Sequence, residues 1–147
     1  MYNTILALTD GSEPSNNAVE HAAVTAEKWN AKLSIMTVVT PPPRIYTHVG
    51  GFSTDYNEDY DKAIMSYHLS VLEEAKNTIK EKHPDVKVTT QIKKGNTVQN
   101  ILQASEAKDV GLVFIGSRGL SGFAGCFLGS VSNQVVNHCT KPIMVIK

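Results

Sequence analysis

Residues 112–131 read LVFIGSRGLSGFAGCFLGSV, and the succession of residue types in this stretch decides the architecture. The apolar run Leu112-Val113-Phe114-Ile115 predicts a buried strand, and a helix is expected to start at Ser130. Between them Gly116, Gly119 and Gly129-Ser130 stand in the spacing G-x2-G-x9-G-S. A strand, a glycine-rich loop and a helix N-terminus in that order form a place where backbone N–H groups can approach an anion, because glycine has no Cβ and tolerates positive φ. The helix end adds unpaired N–H groups and a partial positive charge, and Ser130 adds a hydroxyl. The anion expected there is a phosphate. The loop is not a Walker A sequence, which needs Gly-Lys-Ser/Thr, and it is not GxGxxG.

Outward from this stretch, strands and helices alternate. Thr4 to Thr9 predicts a short buried strand closed by Asp10-Gly11, with Ser12 as the N-cap of a helix whose first turn holds Glu13 and Pro14. Ala18, Val19, Ala22, Ala23, Ala26 and Trp29 follow the helical period, and Asn30 ends it. Lys32 to Val39 is a second strand, stopped by Pro41-Pro42-Pro43. A long helix is expected from Glu58 to His83, with Met65, Leu69, Leu72, Ala75 and Ile79 facing the core, and then a strand from Val86 to Lys93. Asn96 caps the next helix with Gln99 at the capping-box position, and Val98, Ile101, Leu102 and Ser105 are its buried side. The last helix carries Val131, Val135 and Cys139 at i, i+4 and i+8, and Ile143 to Ile146 is the fifth strand. No hairpin signal separates the strands, so the expected fold class is α/β, a single-domain five-stranded parallel sheet with helices on both faces.

The G-x2-G-x9-G-S spacing, the opening ILALTDGSEPSNNAVEHA and the closing HCTKPIMVIK together resemble the universal stress protein family in its ATP-binding branch. The resemblance spans residues 1–147 apart from the stretch near 41–57. It implies a Rossmann-like sheet of strand order 3-2-1-4-5, with ATP bound where the loops after strands 1 and 4 diverge, and Mg²⁺ is expected beside the phosphates. It places Leu8, Thr9 and Asp10 in the nucleotide pocket, Leu8 standing where some ATP-binding relatives carry proline. Asp10 is a turn residue by its Asp-Gly setting, and its carboxylate can also accept from ribose hydroxyls or hold a Mg²⁺ water. The backbone of Val38 meets the adenine edge in this reading, Ile115 gives apolar contact, and Gly116, Arg118, Gly119, Gly129, Ser130 and Val131 complete the phosphate cradle. A homodimer through the apolar C-terminal strand is implied as well, together with a regulatory partner of unknown identity.

Composition narrows the function. Lys+Arg and Asp+Glu both number 14, so no excess of positive charge points to nucleic acid or an anionic membrane. No apolar stretch reaches the roughly 18 residues of a membrane span, and MYNTILALTD lacks the regions of a signal peptide, so a cytoplasmic protein is expected. The two cysteines form no metal or CxxC spacing; Cys126 is expected to be exposed in the glycine loop and Cys139 buried. There is no GxSxG or HExxH motif, and of the five histidines only His48 has a plausible ligand role, the others being assigned to polar faces or caps. Residues 41–57 are expected to form a mobile flap hinged at Gly50-Gly51. Three functions are compatible with this pattern: a nucleotide-responsive regulatory protein binding ATP, a slow Mg-dependent ATPase or phosphotransferase, and a flavin- or AMP-binding domain.

Overall fold

The computed structural model describes residues 1–41, 58–119 and 128–147. Nine elements alternate along the chain: β1 (Thr4–Leu8), α1 (Glu13–Trp29), β2 (Lys32–Val39), α2 (Glu58–Lys82), β3 (Val88–Lys94), α3 (Thr97–Ser105), β4 (Val110–Gly116), α4 (Ser130–His138) and β5 (Ile143–Ile146). The strands form one sheet in the order β3-β2-β1-β4-β5, and every pairing is parallel. The expected fold class and strand order are both present. Because the chain leaves β1 toward β2 and later returns to β4 on the other side, the segments after β1 and β4 part company at the C-terminal edge, where open α/β sheets bind ligands.

Side-chain alternation along the strands divides the core in two. Ile5, Ala7, Leu33, Ile35, Leu112 and Phe114 face α1 and α2, whereas Leu6, Leu8, Met36, Val113 and Ile115 face Ile101 of α3 and Val135 of α4. All five residues of β1 are buried, as a central strand covered on both sides requires. Helix α1 lies on β1 and β4 through a stripe of small residues, Ala18, Ala22, Ala23 and Ala26, each with no exposed surface. Small side chains let the helix backbone approach the sheet closely, and the sheet supplies the bulk through Ile5 and Phe114.

Several local expectations are corrected. Ser12 occupies the N-cap position of α1, but its hydroxyl donates to Asp10 Oδ1 at 2.6 Å instead of capping the helix. Trp29, the last residue of α1, is 42% exposed and packs its ring edge-on against Tyr2, centroids 5.8 Å apart. On α2, Leu69 is half-exposed and His68 takes the inward place beside it. The third strand starts at Val88, two residues after Val86, which is buried in the turn. Val98 and Leu102 of α3 are only partly buried, and so is Cys139, the C-cap of α4, which packs on the same core cluster as Val131 and Val135. Expectations for the flap, for His48 and for Cys126 concern residues outside those described.

The alanine stripe makes a direct prediction. Ala22→Leu inserts three carbons where helix and sheet already touch and should destabilise the fold by about 1–3 kcal/mol, read as a lower urea midpoint. An unchanged midpoint would mean that α1 can lift from the sheet at no cost.

Candidate functional site

The chain beyond β1 folds into a tight hydrogen-bonded turn. Thr9 is buried and held by Met36, its N–H donating to that carbonyl at 2.9 Å, while its hydroxyl lies 3.2 Å from Ser15 Oγ and accepts from Gly11 N–H at 3.2 Å. Gly11 takes φ +86°, a left-handed conformation that suits glycine. Asp10 Oδ1 accepts both from Ser12 N–H at 3.0 Å and from the Ser12 hydroxyl. From α2, the Tyr67 hydroxyl donates to the Asp10 carbonyl at 3.1 Å. The aspartate is thus fixed at the sheet edge, and its Oδ2 faces the chain that follows β4: a methyl group on Gly119 would lie 2.6 Å from it.

The glycines act through close approach. Among the described residues only Gly11 and Gly95 have the positive φ that favours glycine, so that reason does not apply to Gly116, Gly119 or Gly129. At Gly116 a Cβ would stand 2.8 Å from the Pro14 carbonyl carbon and from Ser15 N, because the end of β4 abuts the first turn of α1. Gly119 must leave room for the Asp10 carboxylate. Gly129, φ −67°, is the N-cap of α4, and a Cβ there would make ordinary contacts at 3.5 Å. The two ends of the loop are pinned together: Gly129 N–H donates to the Ser117 carbonyl at 2.7 Å, and the Ser132 hydroxyl donates to the same oxygen at 2.9 Å.

These parts surround one cavity of about 1010 Å³ at the C-terminal edge of the sheet, a size that suits a small organic ligand. Every residue singled out from sequence lines it: Leu8, Thr9, Asp10, Val38, Ile115, Gly116, Arg118, Gly119, Gly129, Ser130 and Val131. The nine-residue α4 opens onto it through Ser130 to Asn133, so the N–H groups of its first turn face the same space. Leu8, Met36, Val38, Ile101 and Ile115 give an apolar wall, and Thr40 and Thr97, with hydroxyls 3.0 Å apart, close one side. Asp10 is the single acid lining the cavity among the described residues, and no cluster of three or more metal-ligating side chains occurs among them.

The wall contributed by α2 was not foreseen. Tyr60, Ile64, Tyr67 and His68 line the cavity, and His68 Nδ1 lies 2.8 Å from the hydroxyl of Thr37, which is 1% exposed. The sequence signal was a polar residue at 68 within the inward arc of an amphipathic helix, opposite a threonine in an apolar strand. His83 directly follows the last residue of α2, where a cap was among the expected places. It sits between Glu27 Oε2 at 2.9 Å and Glu20 Oε1 at 3.6 Å, with its side chain only 12% exposed.

Burial lowers the pKa of His68 below 6.5, and the nearby Asp10 charge opposes that shift in part. In the pH range between the lowered folded value and 6.5 the unfolded chain therefore binds more protons. The stability associated with neutral His68 is fully present above 6.5 and is lost as pH falls through the folded value. Urea midpoints of the wild type should fall more steeply than those of His68→Gln as pH is lowered from about 7.5 to 5. Parallel curves would show that folding does not shift the titration of this ring.

Comparison with known proteins gives a consistent result. A family model described as the universal stress protein family matches residues 1–147. Universal stress protein YxiE of Bacillus subtilis is 30% identical over 150 residues, covering 100% of both chains. A universal stress protein of Mycolicibacterium smegmatis is 32% identical over 97% of this chain but only 45% of its own, so this chain spans about half of that relative. Among solved structures, universal stress protein UspA from Lactobacillus plantarum superposes with a TM-score of 0.81 at 19% identity, over 99% of this chain and 98% of that one. A universal stress protein in complex with cAMP superposes with a TM-score of 0.72 at 26% identity, over 99% of this chain and 96% of that one.

Proposed function

The chain belongs to the universal stress protein family, and on that premise we propose that it is an ATP-binding regulatory protein of the cytoplasm. The observation that carries the reading is the convergence of three elements on one cavity: the N-terminus of α4, the glycine-bearing chain after β4, and Asp10 after β1. The first two favour phosphate oxygens, through N–H groups, the positive end of the helix dipole and Arg118 at the rim. The carboxylate favours hydroxyl donors such as those of ribose, and the apolar wall accepts a base. The relative that binds cAMP supports a nucleotide ligand. ATP would enter with Mg²⁺ on its phosphates, and its occupancy would change the affinity of the protein for a partner or for a second copy of itself.

Release of the bound molecule by denaturation, followed by mass analysis, and calorimetric titration with ATP, cAMP and FMN test this directly. ATP should bind, and Gly119→Val should weaken it roughly tenfold or more while the circular dichroism spectrum stays native, because the new side chain would press on the Asp10 carboxylate. A preference for FMN, or no nucleotide at all, would remove the reading.

The dimer is proposed through β5. Among the described residues that strand pairs only with β4 and stands at the edge of the sheet, and Met144 is 45% exposed. A second copy adding its β5 would cover both. Val145→Asp should give a monomer in size-exclusion chromatography with light scattering; a stable dimer of that variant would place the interface elsewhere.

A further inference from the structure

His68 carries a polar atom that the reading of the cavity as a nucleotide site does not yet use. Its Nδ1 is paired with the Thr37 hydroxyl, and its ring stands edge-on to that of Tyr67, centroids 5.5 Å apart, so its orientation is held from two sides. The Thr37 hydroxyl is buried, and among the described residues His68 Nδ1 is its one hydrogen-bond partner. A buried hydroxyl needs an acceptor for its proton, so Thr37 donates and Nδ1 accepts. The neutral ring then carries its proton on Nε2. Nε2 has no protein partner among the described residues and is not sealed from solvent, since no buried polar side-chain atom is left unsatisfied. The ring lines the cavity, so Nε2–H is a donor offered to whatever occupies it.

Its place along the cavity indicates which part of the ligand it meets. The glycine chain and the α4 N-terminus lie at the end of β4, while Thr37 and His68 lie at the end of β2, with β1 between. Two strand spacings separate them by ~10 Å, about the distance from the phosphates of a nucleotide to its sugar and base. Building on the proposed nucleotide function, we propose that His68 is a specificity-determining contact whose Nε2–H donates to an acceptor on the nucleoside half of the ligand, a ring nitrogen of the base or a ribose oxygen. The groups facing it are Thr37 from β2, Asp10 from the turn after β1 and Tyr67 from α2. Thr37 acts as the positioning residue that selects the tautomer.

Two measurements test the contact. Long-range ¹⁵N–¹H spectra of the ligand-free protein at a pH above the His68 titration should show the Nε2–H tautomer, and ATP should move the Nε2 resonance. Calorimetric titration should then compare wild type with His68→Phe, using ATP, purine analogues that each lack one ring nitrogen, and deoxyribose analogues. Wild type should bind ATP roughly five- to tenfold more tightly than the one analogue lacking the acceptor, and His68→Phe should lose that discrimination specifically. The analogue affected identifies the acceptor as base or sugar. An Nδ1–H tautomer, or a His68→Phe variant that weakens every analogue equally or keeps the discrimination, would overturn the contact alone. Absence of adenine-nucleotide binding by the wild type would overturn the functional reading and the contact together.

Discussion

The backbone of Gly116 lies against the first turn of α1 so closely that a single methyl group would have no room, standing 2.8 Å from the backbone of Pro14 and Ser15. Much of the site follows from that approach. It brings the end of β4 beside the start of α1, and hence the chain after β4 beside the Asp10 turn. The alanine stripe of α1 acts in the same sense, since a helix with larger residues at Ala18 and Ala22 would stand off the sheet and open the gap between the two segments. Packing in the core thus sets the width of the crevice in which a ligand would lie.

The polar residues of the crevice are held by hydrogen bonds to neighbouring turns and strands. Asp10 Oδ1 accepts from Ser12, and Oδ2 is turned toward Gly119. Tyr67 and His68, consecutive on α2, reach the ends of two neighbouring strands, one through the Asp10 carbonyl and the other through Thr37. Helix α2 therefore spans the turn after β1 and the end of β2 and keeps them in register. A protein interior allows little adjustment at such points, so a wall built this way is rigid on the scale of a hydrogen bond.

The fold was legible because its signals are local: apolar runs, helical periods and punctuation by glycine, proline and Asn96 each specify one element, and parallel alternation follows. The cavity-lining residues on β1, β4 and α4 were legible for the same reason, since they cluster at the ends of recognisable elements. The wall from α2 was not. His68 and Leu69 are adjacent in the same inward arc, and hydrophobicity favours Leu69, but the inward position belongs to His68 because Thr37 lies opposite. The reasons behind the glycines were hidden as well. Gly116 and Gly119 look like phosphate-loop glycines in sequence, while their near neighbours in space are Pro14, Ser15 and Asp10, more than a hundred residues away along the chain in each case. Contacts of that separation leave no periodic trace.

Ser117 joins two regions that otherwise have little in common. Its N–H donates to the Ile146 carbonyl at 2.6 Å, and its own carbonyl accepts from Gly129 and Ser132 at the start of α4. One residue is therefore shared between the rim of the cavity and the last residue of the edge strand. Thermodynamic linkage makes any such sharing reciprocal: if filling the cavity alters the free energy of the β5 edge by some factor, covering that edge alters ligand affinity by the same factor. The covalent link between the two regions is one residue long, so such a coupling would need no rearrangement of the sheet.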